Sequence, residues 1–225
     1  MVSFLEEQES FVCKFNPIAE FKSSTVNDLI ITAFGHASAF ILCSSIGPTL
    51  KTIATISCQY HNETKDIFIL YQHSNTVVAS ATEAFKSMFV NDVLQLIFTH
   101  LQFSRATILG TIPTLNYEFG KHQTNTLLWV GTNGCKVDIK KTGRVDPGII
   151  LGNVIGAGLV ACEVAGKECY AFLGIMQEYS ISRSSLKVFE PINEILDYIK
   201  TNDDESYVKK RINEVNGKLE NHLFL

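Results

Sequence analysis

The 225-residue chain has the composition of one folded domain, since 46% of its residues are hydrophobic and only 19% are charged, which excludes intrinsic disorder. Nineteen Lys and Arg against 23 Asp and Glu give a formal charge of −4, so the chain has no basic surplus for binding a nucleic-acid backbone. The longest apolar stretches, such as Ala37–Leu42, are far shorter than the roughly 20 residues of a membrane span, and Glu6 and Glu7 stand where a signal peptide carries positive charge.

Strands and helices alternate along the sequence without repeats or linkers. This alternation predicts a single α/β domain whose mixed central sheet is flanked by helices. The β-branched run Asp28–Phe34 predicts the first strand, and the alanine-rich stretch His36–Ser45 predicts a buried helix that Gly47 and Pro48 end. Further strands are predicted over Lys51–Tyr60, Asp66–Tyr71 and Thr76–Ala79.

A long helix is predicted to begin at Ser80. Ser80 and Glu83 have the spacing of a capping box, in which each side chain bonds a backbone amide of the first turn. Apolar residues then recur at three- and four-residue spacing: Phe85, Phe89, Val93, Leu96, Ile97 and Leu101. The strand Arg105–Ile112 is expected to follow this helix.

The second half of the chain continues the alternation. Polar residues 113–125 predict an irregular excursion, and residues 136–147 predict a surface loop. Strands are predicted over Thr126–Gly131 and Glu168–Met176, and helices over Gly152–Ala165, Ser184–Lys200 and Asp203–Leu219. Pro191 is expected to bend the second of these helices or to mark its first turn.

The last predicted helix carries one narrow apolar seam. The seam residues follow one another at steps of three or four: Val208, Ile212, Val215 and Leu219. The seam either packs on the sheet of the same chain or contacts a partner, and the pattern leaves both interpretations open.

The sequence contains no recognisable catalytic, cofactor or metal motif. Gly152–Gly158 has its paired glycines last, the reverse of a dinucleotide-binding loop, and therefore predicts a helix that packs closely on the sheet. The six histidines show no i, i+4 pairs and the six cysteines no CxxC pair, so we expect no cofactor and reduced, structural thiols. A small α/β enzyme is the alternative, and it requires Asn153, Arg144 and His122 to converge in a polar pocket.

The last three residues of the sequence are unusual for a chain terminus. Leu223, Phe224 and Leu225 are consecutive large apolar residues at a place where chains usually end in solvated ones. They either fold back on the domain or insert into an apolar cleft of a partner, with the terminal carboxylate pairing with a lysine.

The order of segments resembles the proteasome assembly chaperone 1 family. The resemblance lies in DLIITAF followed by GHASAFIL, in RATILGTI, in the stretch VDPGIILGNVIGAGLVACEVAGKECYAFLGIM and in LKVFEPINEIL, and it extends over roughly residues 27–225. It implies a nucleoside-phosphorylase-like fold without the active site. It also implies a non-enzymatic chaperone of the 20S proteasome core particle that pairs with a proteasome assembly chaperone 2-like chain and binds alpha-type subunits during alpha-ring formation.

The resemblance also assigns roles to the C-terminal residues. The family's C-termini resemble a hydrophobic–tyrosine–any motif that docks between alpha subunits, so Leu223 takes the hydrophobic position, Phe224 the aromatic one, and Leu225 supplies the terminal carboxylate. Phe224 departs from the tyrosine of the motif. The chain then divides into a domain at 1–219 and a docking tail at 220–225. We expect a cytoplasmic location, with the nucleus or the endoplasmic reticulum surface as further compartments, and keep a generic dimeric scaffold as another alternative.

Overall fold

A computed structural model describes residues 12–18, 21, 24–60, 63–83, 89–113, 127–133, 135, 142–145, 151–176 and 179–222. Its strands are β1 (Val12–Pro17), β2 (Ser24–Thr32), β3 (Lys51–Tyr60), β4 (Glu63–His73), β5 (Thr76–Ala81), β6 (Leu101–Pro113), β7 (Leu127–Gly131), β8 (Gly143–Arg144) and β9 (Glu168–Met176). Its α-helices are α1 (His36–Leu42), α2 (Val90–His100), α3 (Asn153–Val164), α4 (Arg183–Leu186) and α5 (Glu205–His222). Gly47–Thr49 and Lys187–Glu194 are 3₁₀ helices.

All nine described strands belong to one mixed sheet in the order β1-β3-β4-β5-β2-β6-β9-β7-β8. The four central strands β5, β2, β6 and β9 are parallel, whereas β1, β3 and β4 on one side and β7 on the other pair antiparallel. The predicted single α/β domain with a mixed sheet flanked by helices is therefore confirmed.

Helices cover both faces of the sheet because the central strands are apolar on both sides. Leu29 and Ile31 of β2 point to the face that α2 and α3 cover. Ile30, between them, points to the face that α1, α4 and α5 cover, because successive strand residues alternate sides. This second face also receives Phe189 from the 3₁₀ helix that follows α4.

The glycines of α3 bring this helix close to the sheet, as the sequence predicted. A Cβ on Gly158 would lie 2.5 Å from Ile108 Cδ1 of β6, and a Cβ on Gly110 of β6 would collide with Ile155 of α3. A larger side chain at either position would therefore force the helix and the strand apart.

The apolar seam of α5 packs on the chain's own domain. Val208 and Val215 are buried in the same core cluster as α1. The Tyr207 hydroxyl donates to the Leu42 carbonyl at the end of α1, at 3.0 Å. Of the two interpretations of this seam, packing within the domain is the one observed.

The long helix predicted from Ser80 is wrong at its start. Ser80 lies in β5, where its hydroxyl accepts a hydrogen bond of 3.1 Å from Thr32 Oγ1 of β2, and α2 begins only at Val90. The helix also ends at His100, so Leu101 is the first residue of β6. Residues 84–88 lie outside the described residues.

The prediction of one α-helix over Ser184–Lys200 is also wrong. One turn of α-helix, α4, is followed by the 3₁₀ helix Lys187–Glu194, which contains Pro191. Proline has no amide hydrogen and its ring clashes with the preceding helical turn, so a regular α-helix does not continue through it.

The predicted reduced state is wrong for two of the six cysteines. Cys13 of β1 and Cys58 of β3 are directly opposite each other in the antiparallel ladder, with Cα atoms 4.2 Å apart, and form a disulfide. The strand β1 was not predicted, so its cysteine had no predicted neighbour. The predicted excursion at 113–125, apart from Pro113, and most of the predicted loop at 136–147 lie outside the described residues.

Candidate functional site

The carboxyl ends of the parallel strands define the first candidate site, which we call the carboxyl edge. The strands reach it at Thr32 of β2, Ala81 of β5, Pro113 of β6 and Met176 of β9. After β2 the chain forms β3, β4 and β5 on one side of β2, and it then crosses over to β6 on the other side. Ligands of open α/β sheets usually bind where the strand order reverses in this way. The first residues of α1 and α3 lie at the same edge, because both helices run antiparallel to the strands they cover.

Helix α5 carries the chain to the carboxyl edge. It runs antiparallel to α1: Val208 lies beside Cys43, just after α1, whereas Leu219 lies 3.9 Å from where Gly35, just before α1, would carry a Cβ. The helix continues to His222. The predicted partner-binding residues Leu223, Phe224 and Leu225 follow directly and lie outside the described residues, so their role stays a prediction.

The residues of the enzyme alternative do not form a described pocket. Asn153 is exposed at the start of α3, with a φ of 53°. The Arg144 guanidinium lies 5.0 Å from the centroid of the Trp129 ring, at the β7–β8 end of the sheet. His122 lies outside the described residues. Among the residues that the structure describes, no group of three or more His, Cys, Asp or Glu side chains is placed to hold a metal ion.

A polar cluster crosses the opposite, amino edge of the parallel strands. Thr76, Asp28, Arg105 and Glu168 are register neighbours on β5, β2, β6 and β9. Arg105 donates to Asp28 Oδ1 through two nitrogens, at 2.7 and 2.8 Å, and the Tyr198 hydroxyl donates to Asp28 Oδ2 at 3.3 Å. Burial raises the pKa of Tyr198, which therefore stays a neutral donor. The bonds described to Asp28 all come from Arg105 and Tyr198, as in an ion pair that stabilises a fold.

Three of the four described free cysteines, Cys43, Cys162 and Cys169, are buried in the core, and Cys135 is partly buried. Burial raises the pKa of Cys43 to about 11, so this thiol stays protonated at neutral pH. Cys162 of α3 and Cys169 of β9 are both fully buried and share a hydrogen bond, which lowers the pKa of Cys162. These thiols match the predicted structural role, in contrast to the Cys13–Cys58 pair.

The outer face of α3 is an exposed apolar surface. Val160 is 64% exposed and Val164 is 84% exposed. The helix carries one charged residue, Glu163, and its carboxylate accepts two hydrogen bonds from Asn133, at 3.0 and 2.6 Å. A helix that is apolar on every side is normally covered, so this face suits contact with another protein.

No described helix is long and apolar enough to cross a membrane.

No protein-family model and no curated protein matches the sequence. Solved structures do match. A protein of unknown function from Thermoplasma acidophilum has a TM-score of 0.66 at 14% identity, covering 91% of this chain and 89% of that one. PbaA from Pyrococcus furiosus, described as an archaeal homolog of proteasome-assembly chaperone, has a TM-score of 0.62 at 15% identity, covering 94% and 100%. PbaB from the same organism, described as an archaeal proteasome activator, has a TM-score of 0.58 at 11% identity, covering 96% and 99%. At such identities the similarity establishes the fold: this chain has the α/β architecture of these proteins over nearly its whole length.

Proposed function

We propose that this chain is a non-enzymatic assembly chaperone of the proteasome core particle. In this proposal it forms a heterodimer with a proteasome assembly chaperone 2-like chain, binds alpha-type subunits and promotes formation of the alpha ring in the cytoplasm. The observation that carries the proposal is the fold shared with an archaeal homolog of proteasome-assembly chaperone over almost the full length of both chains. The segment order that resembles the chaperone family agrees with it.

Two features of the described surface support a binding protein. The outer face of α3 presents Val160 and Val164 to solvent on a helix whose single charged residue, Glu163, is hydrogen-bonded to Asn133. The amino-edge polar cluster is saturated by its own bonds, with Asp28 held by Arg105 and Tyr198. A surface of the first kind contacts other proteins, whereas a catalytic site needs polar groups that are available to a substrate.

Co-purification tests the proposed function. The tagged full-length chain is isolated from the cells that produce it, and the co-eluting proteins are identified by mass spectrometry. We expect a second chaperone-like chain and proteasome alpha-type subunits. Recovery of neither would contradict the proposal, whatever the result for any single surface of the molecule.

The C-terminal residues are proposed to dock on the alpha ring. Deleting residues 223–225 should lower the affinity for assembled alpha rings by about tenfold or more, because burial of a phenylalanine side chain contributes about 1.5–3 kcal/mol. The affinity is measured by surface plasmon resonance on immobilised rings. Phe224→Tyr should bind at least as tightly, since a satisfied hydroxyl adds about 1 kcal/mol.

The fold and the heterodimer should not change in the truncated chain. Circular dichroism and size-exclusion chromatography check both properties. Lys218→Ala, an exposed substitution on α5, is the matched control and should bind rings like the unmodified chain. Unchanged ring affinity after the deletion would refute the docking role of Leu223, Phe224 and Leu225.

A further inference from the structure

A groove of about 640 Å³ lies at the outer end of the sheet, away from the carboxyl edge. We call it the β3-edge groove. One wall is apolar and is formed by Ile18, Phe21 and Ile53. The other wall is polar and includes Lys51, Thr49 and His73. Its volume lies in the range of pockets that hold small ligands and short peptides.

The groove exists because β1 covers only part of β3. The last register pair of the two strands is Pro17 with Ala54, and Ile18 then donates its amide to the Ile53 carbonyl at 2.9 Å. The chain turns away at this point, since the Phe21 amide donates to the Ile18 carbonyl at 2.8 Å. In the described part of the chain, no segment pairs with the outer edge of β3 at residues 51 and 52.

An irregularity in β3 opens this end of the strand further. The register with β4 shifts between Thr52 and Ala54, so Ile53 is an extra residue in the ladder. Such a bulge turns the side chains on its two sides toward different faces of a sheet, and bulges are common at sheet edges beside binding sites. In β3, the bulge lies next to Lys51 and Thr52, the residues at the unpaired edge of the strand that line the groove.

Among the described residues of the polar wall, Lys51 supplies positive charge. None of the described residues that line the groove is acidic, and Lys51 has no carboxylate partner in the described part of the chain. A cationic site of this kind attracts an anion, and a lysine ammonium group bonds a carboxylate strongly because both groups are charged.

The hydrogen bonds of Thr49 indicate which ring nitrogen of His73 carries a hydrogen. Thr49 Oγ1 donates to the Ile46 carbonyl at 2.8 Å, so its single hydrogen is already used. Its contact of 2.7 Å with His73 Nδ1 is then a bond that Nδ1–H donates. The ring is held by its Nδ1 side, and Nε2 is the nitrogen left for a ligand.

We propose that the β3-edge groove binds the C-terminal segment of a partner protein as a short extended peptide. The terminal carboxylate pairs with Lys51, and His73 lines the same groove. The last side chain is apolar and packs against Ile18, Phe21 and Ile53. The peptide backbone follows the uncovered edge of β3, which is how extended peptides add to a sheet. This proposal does not depend on the proposed role in proteasome assembly.

A peptide-binding experiment on the full chain tests this proposal. The probe is a mixture of N-acetylated tetrapeptides that end in Leu, Ile, Val or Phe with a free carboxylate, and the matched mixture has C-terminal amides. Binding is measured by NMR titration, with the His73 ring signals as the local readout. We expect the free acids to bind at least tenfold more tightly than the amides, and to shift the His73 signals.

Substitutions on each wall separate the two contributions. Lys51→Ala should lower the affinity for the acids at least tenfold and remove the difference between acids and amides. Ile18→Ser should weaken acids and amides alike, because both carry the same apolar side chain. Lys209→Ala, an exposed lysine on α5, should leave the affinity unchanged. Circular dichroism and thermal unfolding establish that each variant is folded.

Four results would each overturn the proposal. The first is no binding of the free acids at millimolar concentration. The second is equal affinity for acids and amides, and the third is an unchanged affinity for the acids in Lys51→Ala. The fourth is complete competition by acetate at the same concentration as the peptides, which would mean that the groove binds a simple anion rather than a peptide end.

Discussion

Replacing Arg105 by alanine is expected to lower the free energy of unfolding by about 3 kcal/mol, because it leaves a mostly buried carboxylate without its cation. The Asp28 side chain is only 14% exposed and Arg105 only 29%, so water screens neither charge fully. After the substitution, the only bond described to that carboxylate is the one from the Tyr198 hydroxyl. Urea denaturation followed by circular dichroism measures the loss.

An exposed ion pair of the same type provides the control. Arg183 bonds Glu205 at 3.0 Å, but these side chains are 38% and 87% exposed. Surface pairs contribute about 0–1 kcal/mol, so Arg183→Ala should change stability little. The double variant Asp28→Asn/Arg105→Ala should lose less than the sum of its single substitutions, because the neutral amide no longer needs the cation. Equal losses in Arg105→Ala and Arg183→Ala would contradict the structural role of the cluster.

The sequence predicts the central elements of the fold well because burial leaves a continuous local signal. The strands Lys51–Tyr60 and Glu168–Met176 have the predicted bounds. The glycine-rich helix begins and ends within one residue of its prediction. In each case an apolar run or a regular apolar–polar alternation is bounded by Gly, Pro or a polar turn, and these residues stop a strand or a helix whatever lies next to them in space.

The errors arise where a spatial neighbour decides the structure. Ser80 has a local capping pattern, but its hydroxyl bonds Thr32, which is 48 residues away in the sequence. At Ser80 the strand β5 continues to pair with β2, so the backbone of this residue forms part of the sheet and Ser80 does not cap a helix. Tertiary pairing of this kind overrides local propensity and leaves no periodic signal within the segment.

The candidate sites differ in how far the sequence predicts them. The apolar C-terminal residues are visible in the sequence, whereas nothing marks Lys51 and His73 as neighbours. Both line the groove because β3 and β4 pair antiparallel, with Lys51 opposite Gln72, so the first residue of one strand lies at the same end of the sheet as the last residues of the next. Both strands were predicted, and their pairing was the available signal. The apolar wall depends on β1 and Ile18, which no pattern indicated.

Replacing Phe189 by alanine is expected to cost about 4 kcal/mol, as for other fully buried aromatic side chains. Its ring is 0% exposed and lies 5.3 Å from the ring of Phe40 in α1, measured between centroids. It also fills the space above Gly174, where a Cβ would lie 3.1 Å from Phe189 Cζ. The substitution leaves a cavity between α1, β9 and the 3₁₀ helix, and Pro191 at the centre of that helix has no amide hydrogen with which to help hold it in place. Urea denaturation gives the loss, and hydrogen exchange should show faster exchange in residues 187–194 than elsewhere in the core.

Phe189→Leu should lose less than half as much stability because leucine keeps part of the side-chain volume. Val164→Ala, on the exposed face of α3, should change the free energy of unfolding by no more than about 0.5 kcal/mol. A loss in Val164→Ala as large as that in Phe189→Ala would mean that the contacts of Phe189 do not hold this 3₁₀ helix on the sheet.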